Sequence, residues 1–132
     1  MSPLYENDER RAWVFFLHGT GNMLPCSDCR THYASYLSAH PIKEIMTLPK
    51  SELALWIRRW LYDLHQEVNT RLGKEGIPFE ELSSHYKNIN IASLFQLFEM
   101  IEKRAIASQG VNLISWLEWV KQYRTLCSIY GI

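Results

Sequence analysis

The residues of this sequence whose types and spacing are best suited to chemistry are two cysteines. Cys26 and Cys29 stand three residues apart in the stretch Pro25-Cys26-Ser27-Asp28-Cys29. Pro25 is typical of the beginning of a helix, and residues i and i+3 of a helix share a face, so the two thiols are placed to form a bridge. The positive end of the helix dipole stabilises a thiolate, which is the attacking species in thiol–disulfide exchange. The pair therefore predicts a reversible dithiol.

Three other interpretations of the cysteine pair stay open. A zinc site would use Cys26, Cys29 and His32, although no second closely spaced Cys or His pair completes a four-ligand shell. A thioredoxin-like motif needs a strand before the pair, and an aromatic, helical pattern precedes it here. In the third interpretation the two cysteines are buried and inert. The distant Cys127 is interpreted either as a buried small hydrophobe or as a bridge between subunits.

A second group of polar residues lies on the most periodic stretch of the chain. His65 and Asn69 are four residues apart and therefore stack on one face of a helix, beside a stripe formed by Leu61, Leu64, Val68 and Leu72. Flat polar side chains beside an apolar surface are suited to hold a heteroaromatic ligand, and Lys74 just beyond them is suited to meet a phosphate. The alternative is that His65 is a structural residue. Arg58, Arg59 and Asp63 are expected to form a solvated helix face.

The hydrophobic periodicity predicts an all-α protein, a bundle of five or six helices joined by short links. The first helix is expected over 9–23, with a break near Gly19 and Gly21, and the second from Cys26 to His40. The third is expected between an N-cap at Ser51 and a stop at Gly73. Further helices are expected over 80–86, 91–108 and 112–130. No alternating strand pattern and no repeat is present in the sequence.

Composition limits the classes of protein to which the chain can belong. Its 132 residues suit a single domain over 1–132, and 14 basic against 14 acidic side chains argue against a nucleic-acid binder. No apolar run reaches the roughly 18 residues that a membrane span needs. The acidic residues close to the N-terminus do not fit a signal peptide, so we expect a protein that is not secreted.

The two groups of residues together resemble the Erv/ALR family of FAD-dependent sulfhydryl oxidases. The resemblance rests on a Pro-Cys-x-x-Cys motif followed some 35 residues later by Trp-x-x-x-Leu-His-x-x-Val-Asn-x-x-Leu-x-Lys. Here these residues are Pro25, Cys26, Cys29, Trp60, Leu64, His65, Val68, Asn69, Leu72 and Lys74. The resemblance covers residues 12–87 as a sulfhydryl-oxidase-like core and leaves 88–132 as a C-terminal helical extension.

The resemblance implies a small helical bundle that holds FAD beside a redox disulfide. It implies that Cys26 exchanges with substrate and that Cys29 passes electrons to the flavin, with oxygen as the acceptor and hydrogen peroxide as the product. The implied partners are protein dithiols and a second copy of the chain, in the cytoplasm, a virus factory or a virion. The alternative is a non-catalytic helical structural or virion protein that retains the fold.

The resemblance also implies which residues bind the cofactor. His65 and Asn69 hold the adenine and ribose end of FAD, Lys74 lies near the phosphates, and Tyr86 lies over the adenine. The cofactor-binding candidates are thus His65, Asn69, Lys74, Tyr86, Trp60 and His32, and no resident metal is expected.

The chain departs from the family pattern in three places. Gln66 stands where the family has Asn, and Cys127 lacks a partner for a structural disulfide. A first helix with the pattern Trp-x-x-Leu-His is absent, because residues 10–23 resemble the family's second helix. One hypothesis is that the aromatic C-terminal helices cover the face left exposed. The other interpretation makes their aromatic residues core or a subunit interface, namely Phe95, Phe98, Trp116, Trp119 and Tyr123.

Overall fold

The structure is a computed structural model that describes residues 3–88, 90–108 and 110–132, without the side chains of residues 3–6, 85 and 86. Within this part of the chain there are six α-helices and no strand, which confirms the all-α prediction. The helices are α1 (Pro3–Met23), α2 (Ser27–Ala39), α3 (Lys50–Leu72), α4 (Leu82–Tyr86), α5 (Ile91–Ala107) and α6 (Leu113–Tyr130). Short 3₁₀ turns occupy Lys43–Thr47 and Phe79–Glu81.

Three predicted helix boundaries were wrong. Helix α1 begins at Pro3 rather than near residue 9, in keeping with the preference of proline for a first turn. It also continues through Gly19 and Gly21 to Met23. Each glycine costs only about 1 kcal/mol relative to alanine, less than the packing of a buried helix face supplies. Helix α3 begins at Lys50 with Pro49 as its N-cap, so Ser51 lies inside the first turn.

The chain divides into two compact units, Met1–Thr47 with Phe95–Ile132 and Leu48–Leu94. In the first unit, α1 packs mainly along α6 and also contacts α2 and the Lys43–Thr47 turn. The two helices run antiparallel, since Trp119 Nε1 donates to Thr20 Oγ1 near one end and Trp13 Nε1 donates to Tyr130 Oη near the other, at 3.0 and 2.9 Å.

The core of the first unit is aromatic. Its buried members are Met23, Val111, Trp116, Trp119 and Val120, with Phe16, Phe95, Phe98 and Tyr123 packed against them. The rings of Phe95 and Tyr123 are nearly parallel, with centroids 4.4 Å apart, a stacked pair of the kind that adds to area burial. The C-terminal aromatic residues are therefore core of this unit, as one of the two interpretations predicted.

The second unit consists of α3 and the segment that follows it. Leu53, Ile57 and Trp60 are buried on one stripe of α3, which is the predicted periodic face. The helix ends where predicted, at Gly73, which adopts a left-handed conformation with φ of 69° and donates to the carbonyls of Asn69 and Thr70. The chain then passes through the Phe79–Glu81 turn into α4.

Candidate active site

The cysteine pair lies at the first turn of α2, in the first unit. Cys26 is the N-cap residue, and its Sγ accepts a hydrogen bond from the Cys29 backbone N–H at 3.4 Å. The side chain of Cys26 is exposed and that of Cys29 is half-buried, and the two are thiols rather than a disulfide. The outer thiol of the pair is therefore the one that a large disulfide or dithiol partner can reach.

Hydrogen bonds lower the pKa of the Cys26 thiol. The largest contribution comes from the Cys29 side chain and the next from the Cys29 backbone N–H. Slight desolvation and the negative charge of Asp28 oppose them by raising the pKa, while a hydrogen bond from the Asp28 backbone adds to the lowering. Because a lower pKa increases the fraction of thiolate at neutral pH, Cys26 is suited to act as the nucleophile of disulfide exchange.

Arg30 fixes the turn that carries the pair. Its Nη1 donates a 2.6 Å hydrogen bond to the Leu24 carbonyl, and its backbone N–H donates to the Cys26 carbonyl at 3.0 Å. The residues on both sides of Pro25 are thus tied to α2. His32, which the sequence placed among the candidates, lies one turn further along α2 with an exposed side chain. No group of three His, Cys, Asp or Glu residues that could hold a metal ion occurs in the described residues.

The second unit contains a cavity of about 760 Å³, within the range of small-molecule and cofactor sites. One side is formed by the face of α3 that carries the predicted His65 and Asn69. The other side is formed by the segment after α3. The full lining is Arg58, Leu61, Tyr62, His65, Gln66, Asn69, Ile77, Leu82, Ser83 and Lys87. The structure therefore brings two of the predicted cofactor residues to one cavity.

Two hydrogen bonds hold the far wall of this cavity against α3. The Tyr62 hydroxyl donates to the Ile77 carbonyl at 2.6 Å, and Gln66 Nε2 donates to the same oxygen at 3.1 Å. Gly76 precedes this carbonyl, and a Cβ there would lie 2.2 Å from Gln66 Oε1. A side chain at position 76 would therefore displace the Gln66 amide from its present position.

The imidazole of His65 has a defined tautomer. Its Nδ1 lies 2.8 Å from the Leu61 carbonyl, which can only accept, so Nδ1 carries the hydrogen of this bond. In the neutral ring, Nε2 is then an acceptor available at the cavity. Together with the amides of Gln66 and Asn69, this acceptor suits the polar edge of a flat base.

The remaining predicted residues lie away from the cavity or outside the description. Lys74 is exposed, follows the end of α3 and does not line the cavity, although its backbone N–H donates to the Asn69 carbonyl at 2.8 Å. Trp60 is buried on another face of α3. Tyr86 belongs to α4, and its side chain lies outside the described residues.

The cavity contains residues that sequence reasoning missed. Arg58 is exposed, as the solvated-face prediction expected, and it also lines the cavity; Arg59 and Asp63 form an exposed ion pair, 3.9 Å apart. The spacing could have predicted the position of Arg58, because Arg58 precedes His65 by seven residues. Two helical turns bring the two residues to the same face. Ser83 and Lys87 come from the opposite wall, and no periodicity links them to α3.

An adenine dinucleotide fits the residues of this cavity. Planar amides and an imidazole can meet the edge of a base, Leu61, Ile77 and Leu82 offer apolar surface to its faces, and Arg58 and Lys87 offer positive charge to phosphates. The cysteine pair lies in the first unit and this cavity in the second, so the chain contains two candidate groups of functional residues.

A known protein family matches the part of the chain that contains both groups. The Erv1/Alr family model matches residues 3–87, which include the cysteine pair and the His65 and Asn69 face. The match covers more than half of the chain, and the chain therefore belongs to the Erv1/Alr family. The helices α5 and α6 lie outside the matched residues.

The relatives are viral proteins. A protein of Acanthamoeba polyphaga mimivirus, named a probable FAD-linked sulfhydryl oxidase, is 30% identical over 76 residues, 58% of this chain and 50% of its own length. FAD-linked sulfhydryl oxidases from two isolates of African swine fever virus are each 38% identical over 76 residues, 58% of this chain and 55% of theirs. The chain thus spans about half the length of the curated relatives it matches. No solved structure matches it significantly.

The described residues include no helix that is both long and apolar enough to cross a membrane.

Proposed function

We propose that this protein is an FAD-dependent thiol oxidase that forms disulfides in protein substrates. The observation that carries the proposal is the exposed N-cap thiol of Cys26, whose pKa is lowered by hydrogen bonds from Cys29. Membership of the Erv1/Alr family and the names of the viral relatives support the cofactor and the reaction.

The exchange step follows from the different exposure of the two thiols. When the pair is a disulfide, a substrate thiolate attacks Cys26 Sγ, the Cys26–Cys29 bond breaks, and Cys29 leaves as a thiolate. A second substrate thiolate then attacks the mixed disulfide and releases Cys26. The substrate loses two electrons and two protons, and the enzyme pair gains them as two thiols.

The cofactor would be held by residues of the second unit. His65 and Asn69 are proposed to bind the adenine and ribose, as the family resemblance implies, and Gln66 adds an amide to the same face. The proposal also includes, as cofactor-binding residues, Lys74, Tyr86, Trp60 and His32. For these four the support is the family resemblance or the sequence alone. Bound FAD would supply a two-electron acceptor for the dithiol and pass the electrons to oxygen, giving hydrogen peroxide.

The proposal extends to partners and setting. The viral relatives support action in the cytoplasm, in a virus factory or in a virion. A homodimer is proposed as well, which sedimentation of the purified protein would test.

Visible absorption of the purified protein mixed with FAD and then separated from free cofactor tests the proposal. We expect one equivalent of bound flavin and peroxide formation from dithiothreitol. Cys29→Ser should keep the flavin and lose the peroxide, whereas Cys127→Ser should keep both. A protein that binds no FAD would overturn the proposal and favour the non-catalytic helical protein.

A further inference from the structure

Arg58 is one of the two basic side chains, with Lys87, that line the cavity of the second unit, and it lies on the exposed side of α3. It lies on the same stripe of α3 as Tyr62, His65 and Asn69, and all four line the cavity. Arg58 precedes His65 by seven residues, a separation of about 10 Å along the helix axis. That separation is on the scale of the distance between the adenosine part and the diphosphate of an adenine nucleotide.

Two neighbours orient the guanidinium of Arg58. Its Nη2 donates to Ser83 Oγ at 3.2 Å, and its Cζ lies 5.8 Å from the centre of the Phe79 ring. Both neighbours come from the segment after α3, so the side chain bridges the two walls of the cavity. A guanidinium has five N–H donors in a rigid fork, and this bond uses one of them.

No carboxylate of the described residues forms an ion pair with Arg58. Its neighbour Arg59 differs in this respect, because Arg59 Nε lies 3.9 Å from Asp63 Oδ1 while its Cζ lies 4.6 Å from the centre of the same Phe79 ring. Arg59 does not line the cavity. Two adjacent arginines therefore lie beside the Phe79 ring. Arg59 has an anionic partner, and Arg58 lines the cavity.

We propose that Arg58 binds the diphosphate of the adenine dinucleotide in this cavity. The inference rests on the proposed function and assigns the phosphate contact to Arg58 rather than to Lys74, which the resemblance implies but which does not line the cavity. Arginine suits this task because its planar fork can donate two parallel hydrogen bonds to phosphate oxygens, and its charge is always present at neutral pH. Ser83 and Phe79 hold the guanidinium in one orientation before a ligand binds. This reduces the side-chain conformational freedom that binding must remove.

The test compares Arg58→Gln with the matched control Arg59→Gln in titrations of the full chain with FAD, ADP and adenosine, followed by flavin fluorescence or calorimetry. We expect Arg58→Gln to weaken FAD and ADP at least tenfold and to change adenosine less than twofold. Arg59→Gln should change all three less than twofold. The ADP affinity of the unmodified protein should also fall more steeply with salt than that of Arg58→Gln.

Two further variants separate orientation from charge. Arg58→Lys keeps the charge and loses the fork, so its ADP affinity should lie between those of Arg58→Gln and the unmodified protein. Ser83→Ala keeps the guanidinium and removes one anchor, so we expect a two- to fivefold loss for ADP. Circular dichroism should show equal helicity in every variant.

The outcomes distinguish this inference from the proposed function. If the unmodified protein binds FAD and ADP and Arg58→Gln binds them equally well, the phosphate role of Arg58 is wrong and the oxidase proposal stands. An adenosine loss as large as the ADP loss would show a structural role and overturn the inference as well. If the unmodified protein binds neither FAD nor ADP, both fail.

Discussion

The hydroxyl of Tyr130 donates a 2.6 Å hydrogen bond to the buried carboxylate of Glu9. Tyr130 ends α6 and Glu9 lies near the beginning of α1, 121 positions earlier in the chain. The same hydroxyl accepts from Trp13 Nε1 at 2.9 Å. A polar network thus fastens the end of the C-terminal helix to the helix that leads to the cysteine pair.

Replacing Tyr130 with Phe tests this link. The substitution removes the hydroxyl that donates to Glu9 and accepts from Trp13. The buried carboxylate of Glu9 and the indole N–H of Trp13 each lose a hydrogen bond. We expect the free energy of unfolding to fall by about 1–3 kcal/mol. Urea denaturation followed by circular dichroism measures it, with Ser128→Ala at the same exposed end of α6 as the control. A loss equal to that of Ser128→Ala would contradict the role of the network.

Asp28 restrains the reactivity of Cys26. Its negative charge raises the pKa of the thiol, against the hydrogen bonds that lower it. Asp28→Asn removes the charge and keeps the backbone N–H, so we expect the pKa of Cys26 to fall further. Alkylation of Cys26 by iodoacetamide at pH 7, followed by mass spectrometry, should become about two- to fivefold faster.

Asp8→Asn is the control for the Asp28 experiment. It removes the same charge from an exposed position of α1, where Asp8 pairs with Arg11 at 3.5 Å. The alkylation rate of Cys26 should not change in this variant. An equal acceleration in both variants would mean that net charge, and not the position of Asp28, sets the rate.

Glu102 predicts a pH dependence of stability. Its side chain is 0% exposed, and neither carboxylate oxygen has a hydrogen-bond partner in the described residues. Burial raises its pKa above the ordinary 4.5, and the positive charge of Arg30 opposes part of that rise. Since the folded state holds this proton more tightly than the unfolded state, the contribution to stability is complete below pH 4.5. It is lost as the pH rises through the raised pKa.

Urea denaturation of Glu102→Gln over a pH series measures this contribution. The amide cannot ionise, so the variant should gain stability relative to the unmodified protein as the pH rises from 4.5. Glu99→Gln is the control, because Glu99 lies on the same helix in a partly exposed ion pair with Lys103. Parallel pH curves for the unmodified protein and Glu102→Gln would contradict the prediction.

Gly76→Ala should disturb the nucleotide cavity. The new methyl group would meet the Gln66 amide at 2.2 Å, and this flexible side chain would move and release the Ile77 carbonyl. We expect a loss of about 1 kcal/mol in stability and a several-fold weaker affinity for FAD. Gly19→Ala is the control, because its methyl group has ordinary contact with Trp119 at 3.5 Å. Unchanged FAD affinity in Gly76→Ala would show that Gln66 does not shape the site.

The sequence was informative where a single helix places the residues. The period of α3 predicted the face that holds His65 and Asn69, and Gly73 marked its end, because both depend on local geometry. Helix α1 was harder to delimit, because glycine propensity favours a break and the packing against α6 overrides it. Propensity is a weak prior when a helix face is buried.

The rest of the candidate site depends on contacts that no local pattern encodes. The cavity has a second wall because Tyr62 and Gln66 reach the Ile77 carbonyl, 15 and 11 residues away in sequence. Arg58 faces that wall through Ser83, 25 residues away. A charged residue on an exposed helix face is usually solvated, so the place of Arg58 in the cavity lining depends on the opposite wall, which no local pattern predicts.

The pairing of α1 with α6 has a consequence for biosynthesis. The ribosome adds about 5–20 residues per second. Tyr130 lies 121 positions after Glu9, so it is added on the order of 10 s later. During this interval the nascent chain contains both cysteines but not yet the whole of α6, which belongs to the same unit. Both thiols are therefore present on the nascent chain before the contacts between α1 and α6 can form.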